Sequence, residues 1–286
     1  MAKFGVQAST IKSSFGEIGT YETLRRVNDT GYGTIEMSQV PMSPDNVRDM
    51  GRAQAELGIE IVALSAMLTT LPGVASDSLT DDFDKIVSDC KTLDTAILRI
   101  GMLPFDAMGS LDAVIDFARK ANTFARQLGD EGVELYYHNH HIEFARFEGR
   151  YMLDIIAENA PALGLELDVH WIHRGGLNPV EVLERFSGRV RLVHLKDYRI
   201  SQVPETALES LASGDFEAFM ASFLGVVQFA EVGEGNLDWK PIIDQALASG
   251  AEYLLVEQDD SYGRDPFESL AMSRDHLLGL GYGALF

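Results

Sequence analysis

The chain has 286 residues, of which 23 are Lys or Arg and 44 are Asp or Glu, so its formal net charge is −21. This excess of negative charge opposes binding to phosphate backbones, so we expect no nucleic-acid partner. We see neither a secretory signal pattern nor an apolar run of the roughly 18–20 residues that span a bilayer, so we expect a cytoplasmic protein with no membrane partner. The single cysteine, Cys90, excludes an internal disulfide and a Cys-based zinc site.

Eight short runs that are apolar on both faces recur along the chain, and this pattern is typical of strands buried in a parallel sheet. They lie at Phe4–Ala8, Gly33–Met37, Ile59–Leu64, Ala96–Met102, Val133–His138, Leu165–Val169, Val190–Leu195 and Tyr253–Glu257. Amphipathic helical patterns lie between them, at Thr20–Asp29, Ser43–Leu57, Leu79–Leu93, Leu111–Leu128, Met152–Asn159 and Pro179–Phe186. This alternation predicts an α/β fold, a (β/α)8 TIM barrel, with residues 1–286 forming a single domain.

The interval between the seventh and eighth predicted strands is longer than the others. It contains a helical pattern at Pro204–Phe223 and a short apolar run at Val226–Glu231. We therefore predict an extra helix and a short extra strand over the barrel mouth. A doubly wound open sheet is the competing fold, but no G-x-G-x-x-G turn follows the first predicted strand.

Six of the seven histidines lie at or just after predicted strand ends, where the active sites of such barrels are found. They are His138, His140, His141, His170, His173 and His194, whereas His276 lies in the last helical pattern. The carboxylates at the same level are Glu143, Asp168 and Glu257. Mixed imidazole and carboxylate donors on adjacent strands suit one divalent ion such as Mn, Mg, Co or Zn.

Several of these residues also have a structural interpretation. Asp168 could cap the following helix, and His194 could be a hydrogen-bonded core histidine. Glu257 follows an apolar run and would be an unusual buried carboxylate without a cation beside it. His138 and His140 share one face of their strand, so we expect His141 to point elsewhere.

Three further residues are candidates for substrate binding. Glu36 ends the second predicted strand and could bind a sugar hydroxyl, although a solvated carboxylate at a helix start is an equal alternative. Trp171 could supply an apolar face for a sugar ring or could pack in the core. Lys196 lies two residues after His194 on the same face, so it could bind a substrate oxygen or pair with a carboxylate.

Five motifs occur in chain order on the predicted strand ends and in the interval before the eighth strand. They are Tyr137-His-Asn-His-His-Ile-Glu-Phe144, Leu167-Asp-Val-His-Trp171, Val193-His-Leu-Lys-Asp197, Val232-Gly-Glu-Gly235 and Val256-Glu-Gln-Asp259. Together they resemble the sugar phosphate isomerase/epimerase family of xylose-isomerase-like TIM barrels, over nearly the whole chain. The motifs are specific for this superfamily but not for a substrate.

The resemblance implies one divalent metal held by Glu, Asp, His and Glu from strands five to eight. Asp168, His194 and Glu257 match the last three positions. At the first position the usual Glu falls near His138, where this sequence departs from the common pattern. Either an imidazole of His138 or His140 substitutes there, or Glu143 reaches back from beyond the strand; we take Glu143 as the ligand because it completes the usual set.

The resemblance further implies metal-dependent isomerisation or epimerisation of a sugar, by proton abstraction next to a carbonyl through a metal-bound enediolate. Glu257 would serve as one base, and His138 or His140 would act from the opposite face. The same site would suit an inosose-type dehydratase or a 3-keto-sugar lyase. A non-catalytic sugar-binding barrel is the alternative from another class. We see no phosphate-binding pattern, which favours an unphosphorylated sugar or cyclitol as the substrate.

Barrels of this kind often pair through their outer helices, so a homo-oligomer is possible.

Overall fold

The computed structural model describes residues 2–70 and 76–286. A closed barrel of parallel strands forms its centre, in which each barrel strand pairs with the next one and the last pairs with the first. The strands are β1 (Lys3–Gln7), β2 (Thr34–Glu36), β3 (Glu60–Ala66), β4 (Ile97–Ile100), β5 (Glu134–His138), β6 (Gly164–Asp168), β7 (Val190–Leu195) and β8 (Tyr253–Val256). The predicted (β/α)8 barrel is confirmed.

Helices surround the barrel in the described part of the chain. They are α1 (Lys12–Glu17), α2 (Thr20–Asp29), α3 (Pro44–Leu57), α4 (Phe83–Thr92), α5 (Leu111–Asp130), α6 (Met152–Asn159), α7 (Val169–Arg174), α8 (Pro179–Arg185), α9 (Glu205–Ala212), α10 (Phe216–Leu224), α11 (Trp239–Ala248) and α12 (Pro266–Gly279). The Ser43 hydroxyl accepts from the backbone N–H of Asn46 at the start of α3, directly before Pro44. Such a cap satisfies a backbone donor that the helix cannot pair, and proline fits the first helical position.

Where a single helix was predicted, over Pro204–Phe223, the chain forms two helices, α9 and α10, and α11 follows before β8. We call residues 196–252, between β7 and β8, the insertion. The helical conformation is interrupted between α9 and α10 at Gly214, whose φ of +87° favours glycine. The extra strand lies at Val227–Ala230, and it pairs antiparallel with Asp197–Ile200, a segment not predicted as a strand. Phe229 of this pair packs against the rings of His170 and Trp171, so the pair covers one side of the barrel mouth.

The inside of the barrel changes character along the strands. One layer is apolar and buried, and its members include Ile97, Tyr136, Leu192 and Leu255. Because alternate residues of a strand share a face, the residues two positions further along also point inward. These are Arg99, His138, His194 and Glu257, all buried. The polar layer therefore begins directly above the apolar one. Within residues 2–70 and 76–286, no helix is long and apolar enough to cross a membrane.

Candidate metal centre

Four buried side chains converge at the carboxyl ends of adjacent strands. His138 ends β5, Asp168 ends β6, His194 lies in β7 and Glu257 directly follows β8. Each offers one ligand atom, and these four atoms all lie within 4.8 Å of one another. We call these residues the four-ligand group. The strand ends of a parallel barrel meet on one rim, which is why residues 119 positions apart come together.

The donor atoms of the four-ligand group are suited to binding a metal ion. His138 Nε2, Asp168 Oδ2, His194 Nδ1 and Glu257 Oε2 are buried, and the contacts of the two carboxylate oxygens are ion pairs with Lys196 and the neighbouring histidines. His194 Nδ1 lies 2.9 Å from Glu257 Oε2, and His138 Nε2 lies 3.6 Å from Asp168 Oδ2. Buried polar atoms are normally hydrogen-bonded, since leaving them unpartnered is costly. Two imidazole nitrogens and two carboxylate oxygens are a donor set that divalent zinc or manganese accepts.

Asp168 has both of the roles that the sequence suggested. Its Oδ1 accepts from the backbone N–H of Trp171 at 3.1 Å and caps α7, while its Oδ2 faces the four-ligand group. Burial raises the pKa of Asp168 to about 7, although the Lys196 charge acts in the opposite direction. One carboxylate thus anchors a helix and contributes to the centre.

Glu143 lies outside the four-ligand group. The Tyr137 hydroxyl donates to its Oε1, and the backbone N–H of His140 donates to its Oε2 at 2.8 Å. Both oxygens of this buried carboxylate are therefore engaged on the outer side of β5. The structure brings His138, rather than Glu143, to the position expected of the first ligand.

The surroundings of the centre shift the pKa values of its two histidines in opposite directions. Burial by itself lowers the pKa of His194, but the carboxylates of Glu166, Glu36 and Glu257 raise it well above its ordinary value. Burial and the charge of His194 hold the pKa of His138 well below its ordinary value. Because metal ligands must be deprotonated, the proton of His194 would leave when an ion binds.

Lys196 lies at the edge of the centre, and it is almost fully buried. Its ammonium lies 2.9 Å from Glu257 Oε2, 3.4 Å from Asp168 Oδ2 and 3.1 Å from Asp259 Oδ2. The faces of Trp171 and Phe229 lie 5.1 and 5.8 Å from it. Burial lowers the pKa of Lys196, but the carboxylates, Glu257 first, raise it above its ordinary value, so the side chain is charged. Here Lys196 pairs with carboxylates, one of its two expected roles.

A cavity of about 830 Å³ opens above the centre, a volume typical of small-molecule sites. Its polar lining includes Gln7, Ser65, Arg99, His138, His140, Lys196, Glu257 and Asp259. Its apolar lining comes from the segments after β2, β3 and β4, and includes Met37, Val40, Pro41, Met42, Met67, Met102 and Phe105. The lining residues His138, His140, Lys196 and Glu257 therefore come from other strand ends than the methionines and Phe105.

Two of the expected substrate-binding residues lie elsewhere. Glu36 is fully buried beneath the cavity, with its Oε1 2.6 Å from Arg99 Nε. Trp171 is partly buried, and its ring packs against those of His140 and His141 behind the described cavity wall. Neither Glu36 nor Trp171 lines the described cavity, so each would influence a bound substrate through the lining residues that it contacts.

Residues 24–277 match the family model described as the xylose isomerase-like TIM barrel. This match covers most of the chain. The chain belongs to the xylose isomerase-like TIM barrel family.

Within this family, the inosose dehydratase of Lacticaseibacillus casei is 23% identical over 284 residues, covering 91% of this chain and 91% of that protein. The inosose dehydratase of Clostridium botulinum is 28% identical over 168 residues, covering 56% of this chain and 52% of that protein, so this match spans about half the length of the relative. A sugar phosphate isomerase/epimerase from Parabacteroides distasonis superposes with a TM-score of 0.74 at 19% identity, covering 97% and 98% of the two chains. An L-ribulose 3-epimerase does so with a TM-score of 0.70 at 16% identity, covering 100% and 96%.

Arg99 and Glu166 are two buried charged residues beside the centre that the sequence interpretation missed. Both were hidden inside strands that were taken only as apolar runs. Glu166 lies two residues before Asp168 and so shares its inward face, and Arg99 is a charged residue within Ile97-Leu-Arg-Ile100. A buried charge in a barrel strand needs a partner, and this was the signal available in the sequence.

The identity of the first ligand in this family member can be tested by metal titration. We expect His138→Ala to weaken Mn²⁺ binding by more than about 100-fold, because even residues that only hydrogen-bond to a ligand contribute about 10–100-fold. We expect Glu143→Gln to bind like wild type, since the amide can still pair with Tyr137 and with the backbone N–H of His140. Calorimetry measures both affinities. The reverse ranking would restore Glu143 as the ligand.

Proposed function

We propose that this barrel is a divalent-metal-dependent enzyme that removes a proton from the carbon next to a ketone or aldehyde of a sugar or cyclitol. The observation that carries the proposal is the convergence of four buried ligand atoms, two of which belong to residues that line a cavity, His138 and Glu257. An ion held by His138, Asp168, His194 and Glu257 would bind the carbonyl oxygen and stabilise the negative charge that develops there. These residues fill the strand-five to strand-eight positions that the family resemblance assigns to the metal.

His140 and Glu257 are the groups suited to moving the proton. Burial and the charge of Lys196 lower the pKa of His140 to about 4, so its imidazole is neutral at pH 7 and can accept a proton. Burial alone raises the pKa of Glu257, but Lys196 and His194 hold it well below its ordinary value, so it is a carboxylate. β5 and β8 are three strands apart around the barrel, and both groups line the cavity. His138 is assigned to the metal rather than to proton transfer.

Loss of water is the outcome that we favour. Elimination needs a base at carbon and a donor at the leaving hydroxyl, and the Lys196 ammonium in the cavity wall provides the donor. The relatives named inosose dehydratase support this choice, because one of them matches along 91% of the chain. Isomerisation or epimerisation is the second candidate. It is favoured by the presence of two proton-transfer groups in the cavity lining, His140 and Glu257, because a two-base exchange of a proton requires two such groups.

Proton abstraction can be tested directly by NMR. The Mn²⁺-loaded protein is mixed in D2O with a panel of ketoses, aldoses and keto-inositols, and deuterium at the carbon next to the carbonyl is followed. We expect uptake with at least one member, accompanied by an unsaturated product if water is lost or by a rearranged sugar if it is not. Tight metal binding without uptake across the panel would contradict the proposal and favour a non-catalytic sugar-binding barrel.

Replacement of Lys196 separates the two outcomes. We expect Lys196→Met to slow water loss by about 10²–10⁴-fold, the range for a general acid, while deuterium uptake falls much less. Lys240→Met is the control, since Lys240 is an exposed lysine paired with Asp244 on α11. Product formation and exchange are both followed by NMR. If exchange and product formation fall together, Lys196 acts in substrate or metal binding and not at the leaving group.

A further inference from the structure

Three further buried charged side chains lie inside the barrel against the four-ligand group. Glu36 from β2, Arg99 from β4 and Glu166 from β6 are each 3% exposed or less. We call these three residues the charged layer. Barrels of this fold usually fill this level with branched apolar side chains, and burying charges instead carries a desolvation cost of several kcal/mol per ion. None of the three belongs to the four-ligand group, so their presence needs a separate explanation.

The charged layer contacts the centre through one side chain, His194. Its Nε2 lies 3.1 Å from Glu166 Oε1 and 3.3 Å from Glu36 Oε1, whereas its Nδ1 faces Glu257. A neutral imidazole carries a hydrogen on only one of its nitrogens. With an ion at Nδ1, the two carboxylates near Nε2 would hold that hydrogen on Nε2 and leave the lone pair of Nδ1 for the ion.

Arg99 allows the two carboxylates to lie together. Its Nε lies 2.6 Å from Glu36 Oε1 and 3.3 Å from Glu166 Oε2, so one guanidinium faces both. The Arg99 Nη2 donates to Ser38 Oγ at 2.7 Å, which fixes the orientation of the guanidinium. Gly101 leaves it room, because a Cβ there would lie 2.9 Å from Nη1.

We propose that Glu36, Arg99 and Glu166 form a positioning layer that fixes the tautomer and orientation of His194 and thereby sets the affinity of the centre for its ion. This inference rests on the metal-dependent function proposed above. The three residues contribute little net stability, since buried ion pairs can often be replaced by apolar side chains without loss. They should therefore be dispensable for the fold but not for tight metal binding.

The test replaces the whole layer with apolar side chains of similar size, in the triple variant Glu36→Leu, Arg99→Met and Glu166→Leu. Co²⁺ is the probe, read by calorimetry and by its visible absorption spectrum, and thermal unfolding of the metal-free protein is measured beside them. We expect a melting temperature equal to or above that of wild type, a Co²⁺ affinity weaker by about 10–100-fold and an altered spectrum. A purely structural layer would instead change the melting temperature and leave the spectrum unchanged.

A second variant keeps the proposal testable if the triple variant does not fold. Glu166→Leu removes the acceptor nearest to Nε2 but leaves Arg99 paired with Glu36, and we expect about 10-fold weaker Co²⁺ binding. Glu166→Gln, whose amide oxygen still accepts a hydrogen bond, should recover much of this loss. Glu231→Gln is the matched control. Glu231 is a buried carboxylate of the insertion that pairs with Arg264, a residue beyond β8.

The outcomes separate the two proposals. Wild type that binds neither Co²⁺ nor Mn²⁺ would overturn the proposed function, and the positioning layer with it. Wild type that binds Co²⁺, with Glu166→Leu indistinguishable from it in affinity and spectrum, would overturn the positioning layer alone.

Discussion

Replacing Glu257 with Gln is expected to abolish deuterium uptake and to lower turnover by about 10⁴-fold or more. The reason is twofold: Glu257 is the base assigned to one face of the substrate, and its Oε2 belongs to the four-ligand group. The amide keeps the shape of the side chain but loses its charge and its basicity. The measurement is single-turnover NMR in D2O at saturating Mn²⁺, with metal content determined on the same sample.

The control for this variant is a carboxylate of similar burial. Glu257 is 5% exposed and Glu231 is 2% exposed, but Glu231 pairs with Arg264 away from the centre. We expect Glu231→Gln to retain deuterium uptake. If Glu257→Gln binds Mn²⁺ and still exchanges at the wild-type rate, the base must be His140, and His140→Ala then identifies it.

Replacing Asp197 with Ala is expected to have the largest effect on stability. Asp197 is fully buried, and five donors point at its carboxylate. They are the backbone N–H groups of Tyr198, Gly233, Asn236 and Leu237 and the indole N–H of Trp239. Removing a buried charged partner leaves the others unsatisfied, so we expect the free energy of unfolding to fall by about 3–5 kcal/mol. Denaturant titration monitored by circular dichroism measures it.

Asp215 provides the comparison within the same insertion. It caps α10, where its Oδ1 accepts from the backbone N–H of Ala218 at 3.0 Å in an exposed position. We expect Asp215→Ala to lower the free energy of unfolding by about 1 kcal/mol, the usual effect of losing a helix cap. Equal losses at the two positions would show that the segment held by Asp197 does not contribute to the cooperative unfolding of the barrel.

The role of Asp197 also explains a motif that the sequence left without a function. Val232-Gly-Glu-Gly235 resembles part of the family pattern, yet its glycines are required by packing rather than chemistry. A Cβ at Gly235 would lie 2.2 Å from Asp197 Oδ1, and Gly233 has a φ of +95°. A sequence shows that glycine is present but not which side chain approaches it, so this contact could not be predicted.

The barrel itself was predictable because most strands are short apolar runs, most helices are amphipathic, and several helices begin at a capping residue. The division of the insertion's predicted helix into two helices was less predictable. Ser213-Gly-Asp215 combines a turn residue with a helix cap, and this pair of signals within Pro204–Phe223 is where the predicted single helix divides into two. The strand Asp197–Ile200 begins within a motif of charged residues, so its polar pattern indicated chemistry rather than pairing.

The convergence of the candidate ligand residues was predictable where strands are regular and not where the chain leaves them. The alternation of side chains along β6, β7 and β8 predicts the inward direction of Asp168, His194 and Glu257. Glu143 lies in a short 3-10 helix, Ile142–Phe144, beyond the end of β5, where alternation no longer fixes direction. Its partner Tyr137 faces away from the barrel interior that His138 faces, which is why the carboxylate ends on the outer side.

The two sides of the cavity are contributed by different halves of the chain. The segments after β2, β3 and β4 supply the methionines and Phe105, while the ends of β5, β7 and β8 supply the imidazoles, the ammonium and the carboxylates. The shape of the cavity can therefore change separately from the four-ligand group. Met42, Met102 and Phe105 line the cavity but belong to other parts of the chain than His138, Asp168, His194 and Glu257, so substitutions among the three would reshape the cavity while leaving the ligand positions in the sequence intact.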